Sequence, residues 1–199
     1  MSWEKSLRKL EEMRGQLWQF RVSFLTDRNF VELVNHLRNP VDTDVIGYRV
    51  IGYRNLHTTH IDISGYFSGG IVNILCAKAR EQCKIRLLSP PLDLRHAQDR
   101  RNLSALRRMQ DAGIEIRIND RNHSRLLVIY RTEEGTIING ALVIGSFDFN
   151  REGLSGERRD AGIITLHPDL VESAVAFFNE IWETRYETET LDTKYPPTS

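Results

Sequence analysis

The chain has 199 residues, 40% hydrophobic and 27% charged, with 27 basic side chains against 27 acidic ones and a formal net charge of zero. Those numbers fit one compact α/β domain with a sizeable core, or one domain with a terminal appendage. The charge balance excludes a global electrostatic pull on nucleic acid or anionic membrane, so any such binding has to arise from local geometry.

Residues 1–20 read as an N-terminal amphipathic helix, with Trp3, Leu7, Leu10, Met13 and Leu17 spaced by three or four and charges between them. The same stretch has no apolar core of the kind a signal peptide needs, and no apolar run approaches the roughly 20 residues that span a bilayer. Residues 20–26 (FRVSFLT) read as a strand, and 30–37 as a short helix that Pro40 ends. Residues 45–54 repeat the pentapeptide VIGYR, whose Gly47 and Gly52 suggest bent strands or a hairpin; two copies are too few for a solenoid.

A strand is expected over 60–67, followed by Ser68-Gly69-Gly70 and a helix over 71–81. A short apolar strand, 84–88, ends at Ser89-Pro90-Pro91. A basic helix over 97–112 ends at Gly113, a C-capping glycine, and leads into a strand over 114–118. Strands 125–131 and 136–144 flank the turn signal Thr132-Glu133-Glu134-Gly135. A strand over 161–166 precedes a last amphipathic helix, 168–182, carrying Leu170, Val171, Ala174, Phe177, Phe178 and Trp182. Residues 184–199 are polar with two prolines and read as a fraying tail. Alternating helices and strands argue for an α/β fold with a mixed sheet, in one domain over 21–183. Cys76 and Cys83 have no metal-ligand spacing, and carboxylates do not cluster as ligands would, so neither a metal nor a cofactor is expected. The two cysteines read as reduced structural thiols of a cytoplasmic protein.

Chemistry concentrates in residues 122–165. Asn122-His123-Ser124-Arg125 comes first, then the hairpin, then Gly145-Ser146-Phe147-Asp148-Phe149-Asn150, then Glu157-Arg158-Arg159-Asp160. His123 and Arg125, two apart at a strand start, share a face. A guanidinium holds anionic oxygens while an imidazole nitrogen attacks phosphorus. Gly145 permits close backbone approach, Ser146 offers a hydroxyl, and Asp160 can accept from the second ring nitrogen of His123. Ser124, Asn150 and Glu157 are further substrate-contacting candidates. Arg101, in the helix that also carries Arg95, Arg100, Arg107 and Arg108, either lines a phosphate groove or belongs to a solvated face.

This constellation resembles the signature of the phospholipase D superfamily, HxK(x)4D followed by GSxN and then an acidic residue before a strand. His123 falls on the nucleophilic histidine, Arg125 on the lysine, Tyr130 on the aspartate, and Gly145, Ser146 and Asp148 on the GSxN element. Asp160, or alternatively Glu157, falls on the acidic residue that orients the histidine. The segment from His167 to Glu183 and the order strand, SGYFSGG, helix, KIRLL also resemble the family, so the likeness extends over about residues 56–183. It implies the phospholipase-D-like fold, a mixed sheet with helices on both faces, and phosphodiester hydrolysis through a phosphohistidine. It also implies catalytic residues His123, Arg125, Ser146, Asp148 and Asp160. The chain holds one motif where the chemistry needs two. The small nucleases of the family solve this as homodimers, and a metal-independent dimeric nuclease is expected here. A degenerate module that binds nucleic acid or a phosphorylated ligand is the alternative, raised by Arg125 and Tyr130; a phospholipase is the third. No membrane insertion is expected.

Overall fold

The computed structural model describes residues 22–26, 59–67, 69–149, 161–165, 167–184 and 187–197. The expected N-terminal helix, the helix over 30–37 and the VIGYR repeat lie outside them, as do Asn150, Glu157 and Asp160.

Among the described residues, eight strands and four helices follow in chain order: β1 (Val22–Thr26), β2 (His60–Ser64), α1 (Gly70–Arg80), β3 (Lys84–Ser89), α2 (Ala97–Asp111), β4 (Glu115–Asn119), β5 (Leu126–Glu133), β6 (Thr136–Gly145), β7 (Ala161–Thr165), α3 (Pro168–Glu183), β8 (Thr188–Thr190) and α4 (Leu191–Lys194). All eight strands join one sheet in the order β1-β7-β6-β5-β2-β3-β4-β8. The β2-β3-β4 centre is parallel, since α1 and α2 carry the chain back between successive strands. The other pairings are antiparallel.

Local signals set the boundaries. The α2 helix ends in a Schellman arrangement: Gly113 takes φ 91°, its N–H bonds the Gln110 carbonyl, and the Ile114 N–H reaches back to Met109. The β5–β6 hairpin turns on two residues, Glu134 and Gly135, both at positive φ (50° and 82°), the conformation that matches strand twist. Pro168 occupies the first turn of α3, where its missing N–H costs nothing.

Alternation along β5 divides the core. Leu127 and Ile129 join Ile61, Ile63, Leu87 and Val143 under α1 and α2. Leu126, Val128 and Tyr130 face the other way, against Val171, Val175, Phe178 and Trp182 of α3. The sheet is therefore covered on both faces, as the sequence implies. The segment beyond Glu183 departs from its expected fraying. β8 pairs antiparallel with the edge of β4, and Leu191 in α4 is fully buried in the α1/α2 core. One apolar side chain and a free sheet edge outweigh the polar composition around them.

Candidate active site

A hydrogen-bonded frame holds the segment that presents His123. The Asn122 amide, buried before the start of β5, donates to Ser64 Oγ at 3.2 Å. Ser64 Oγ in turn donates to the Ser124 carbonyl at 2.7 Å, and Ser124 Oγ donates to Asn122 Oδ1 at 2.6 Å. Ser64 closes β2 and is fully buried. The ring of bonds thus ties the 122–124 backbone to the centre of the sheet, while the His123 side chain lies exposed.

Arg125 is held just as firmly. Its Nε donates to Asp148 Oδ1 at 2.7 Å and its Nη1 to the His123 carbonyl at 2.9 Å. Asp148 is brought there by the register: Leu126 opposes Ile144, and the Gly145 N–H bonds the Arg125 carbonyl, so the chain leaving β6 runs beside the chain entering β5. That path needs glycine. A Cβ on Gly145 would stand 2.2 Å from the Phe147 ring and 2.7 Å from the Ala161 carbonyl. Phe147 and Phe149 then pin the segment, Phe149 stacking on Phe67 with centroids 5.7 Å apart. Ser146 exchanges backbone and hydroxyl bonds with Ala161. Of the residues expected together, Arg125 bonds Asp148 and the His123 carbonyl, Gly145 bonds Arg125, and Ser146 is tied to Ala161 on β7. Arg101 is exposed on α2 and lines neither cleft beside His123.

Two depressions meet at His123 and Ser124. The larger, about 360 Å³, lies on the α3 side and includes Phe177 and Glu180. The smaller, about 30 Å³, is lined by Gly65, Tyr66, Pro90 and Arg125. Burial holds the Tyr66 phenol proton above its ordinary range, reinforced by Asp99 and Asp148, so this hydroxyl is a neutral donor beside Arg125.

Tyr130 plays no part at this surface. Its hydroxyl donates to Asp62 Oδ2 at 2.9 Å, and Arg86 binds the same carboxylate through two bonds of 2.8 and 2.7 Å. Arg86 lies over the rings of Phe178 (5.1 Å) and Trp182 (5.5 Å), so the network fastens α3 to the sheet. Burial, followed by the Asp62 charge, drives the Tyr130 phenol far above its usual range. A carboxylate therefore remains in this region, supplied by Asp62 rather than by position 130. Sequence inspection gave Asn122 no role of its own and missed Ser64 and Asp62; the signal was a polar residue inside an otherwise apolar strand or strand approach.

Among the described residues no group of histidine, cysteine and carboxylate side chains is arranged to hold a metal, and no helix is long and apolar enough to cross a membrane. No curated protein matches the sequence. The fold is similar to that of Nuc from Salmonella typhimurium, a phospholipase D family member (TM-score 0.58, 15% identity, 85% of this chain and 96% of that one). It is similar to NucT from Helicobacter pylori (0.56, 10%, 82% and 96%). It also resembles phosphatidylserine synthase from Haemophilus influenzae Rd KW20 (0.60, 13%, 89%), of which it spans only 40%. The profile of the family described as cardiolipin synthase, PLD-like domain, matches residues 56–182, from before β2 through α3, and the chain belongs to this phospholipase-D-like family.

Proposed function

We propose that the protein is a metal-independent phosphodiesterase, acting on nucleic acid, with His123 as its nucleophile. The observation that carries this is an exposed imidazole on a rigid frame, with Arg125 anchored next to it. His123 attacks phosphorus, a P–N bond forms, and the P–O bond to the leaving alcohol breaks. Arg125 compensates the charge gathering on the non-bridging oxygens. A proton reaches the leaving oxygen from the histidine of a second copy across a twofold axis. Water then attacks the phosphohistidine and the P–N bond breaks. Ser146 and Asp148 position the phosphate and Arg125, and Asp160 is assigned to the second His123 nitrogen.

Support for nucleic acid comes from the single motif and the likeness to Nuc and NucT along nearly their whole lengths. One observation favours a second reading, in which the site binds a phosphorylated ligand without turnover: Arg125 Nε is already engaged by Asp148. Cleavage assays on single- and double-stranded DNA and RNA in EDTA separate the two. EDTA-resistant cleavage lost in His123→Ala supports catalysis. Saturable binding with no cleavage supports the second reading.

A further inference from the structure

We infer that the cleft on the α3 side of His123 is a subsite for one unstacked nucleobase, so that the strand engaged at His123 is single-stranded. The inference deepens the proposed phosphodiesterase function and rests on it for the position of the phosphate. At about 360 Å³ the cleft has room for a nucleoside. It is lined by Asn119, Asn122, His123 and Ser124 from the approach to β5 and by Phe177, Glu180 and Ile181 of α3.

That flank carries an aromatic the fold does not use. Phe178 and Trp182 are 0% and 3% exposed in the core, whereas Phe177 leaves 45% of its surface bare, looking into the cleft. A bare ring face beside a phosphate-binding group is what base stacking requires. Ile181, one turn further on, extends the apolar wall. Glu180 lies on the same stretch and has no ion-pair partner among the described residues. A carboxylate only accepts hydrogen bonds and repels phosphate. It therefore excludes the backbone from this wall and selects a base edge with an exocyclic amino group. Cytosine, adenine and guanine have one; thymine and uracil do not.

The rim fits the same ligand. Arg121 is 80% exposed and pairs with Glu187 at 2.9 Å, a surface pair weak enough to be exchanged for a neighbouring phosphate. A second anion grip on the same cleft suits a polymer of phosphodiesters. A lipid would need an apolar trough for its chains, and here the apolar wall is two side chains facing a polar one. Beyond His123 the small depression at Tyr66 and Arg125 has space for phosphoryl oxygens and none for a ring. A base inside a duplex cannot reach Phe177 without leaving its stack.

The test is fluorescence anisotropy with labelled hexanucleotides of cytidine, uridine, deoxycytidine and thymidine, and with a duplex, using the full chain carrying His123→Ala in EDTA. Phe177→Ala is expected to weaken single-strand binding about tenfold. Leu170→Ala, equally exposed on the same helix and outside the cleft, is expected to leave it unchanged. Glu180→Gln should shrink the preference of cytidine over uridine. Phe177→Ala binding within twofold of the parent, an equal loss in Leu170→Ala, or equal affinity for duplex overturns the subsite. So does binding confined to phosphatidylglycerol vesicles. Turnover of bis(p-nitrophenyl) phosphate by the unmutated chain separates the two claims. If that turnover depends on His123 while no oligonucleotide binds, the subsite falls and the phosphodiesterase stands. Phe177-dependent binding without any turnover leaves the subsite and removes the catalysis.

Discussion

At the scale of single residues, the His123 segment is held by hydrogen bonds among its neighbours Ser64, Asn122 and Ser124. Asn122 is 6% exposed, and Ser64 and Ser124 bond each other and it. Asn122→Ala removes the amide's bonds to Ser64 Oγ and to the Ser124 hydroxyl and N–H, and a loss of about 1–3 kcal/mol in urea unfolding is expected, together with slower turnover. The Asp62 network allows a graded comparison. Tyr130→Phe removes one of three hydrogen bonds to Asp62 and should cost about 1–2 kcal/mol. Asp62→Ala strands the Arg86 charge against α3 and should cost about 3–5 kcal/mol. Equal losses in the two variants would mean that the carboxylate is not the hub. His123, Arg125, Ser146 and Asp148 were legible in the sequence because an imidazole, a guanidinium and a glycine-serine turn stand at fixed spacing. The ion pair between Arg125 and Asp148 was not, since it depends on β5–β6 register. Asp62 was hidden because a charged residue within an apolar strand has no sequence partner to explain it; Arg86 lies on the next strand.

At the scale of elements, the sheet carries the site by aligning strand ends. The turn after β6 must pass close to β7, and Gly145 is the residue that allows it. Gly145→Ala forces the Phe147 ring or the Ala161 carbonyl to move. A loss of about 1–3 kcal/mol is expected, with a larger fall in activity because Asp148 and Arg125 move with the turn. A variant as stable and active as the parent would contradict this account of the turn. Most helices and strands between residues 60 and 183 follow from periodicity, turn glycines and prolines to within a residue or two, because each signal is local. The pairing of β8 with β4 is not local. It depends on an unoccupied edge created by chain 60 residues or more upstream, so the segment after Glu183 looks like a tail in isolation. Leu191, fully buried, is the main apolar cue, with Tyr195 packed beside it against the same core. Leu191→Ala should therefore destabilise the whole domain by about 2–4 kcal/mol, whereas a frayed tail would give no change.

At the scale of the whole molecule, two properties follow from burial and from symmetry. Cys83, 7% exposed, has its thiol pushed up to about 11 by burial. The unfolded chain loses this proton near pH 9, while the folded chain keeps it until about pH 11. The folded state then binds more protons, so stability falls as pH rises through that window. Cys83→Ser should flatten the slope of unfolding free energy between pH 9 and 11; an unchanged slope would show that the thiol does not contribute. The proposed catalysis also makes the functional unit two chains, because one chain supplies one motif. Light scattering is expected to give twice the chain mass, and mixing His123→Ala with the parent should lower activity by more than dilution. The most direct test of the account is cleavage of a single-stranded oligonucleotide in EDTA, with acid-labile phosphate on the protein measured in parallel. The parent chain is expected to cut and to carry phosphate on His123, and His123→Ala to lose cleavage by at least about 10³-fold. Undiminished cleavage by His123→Ala, or cleavage that EDTA abolishes, would contradict it.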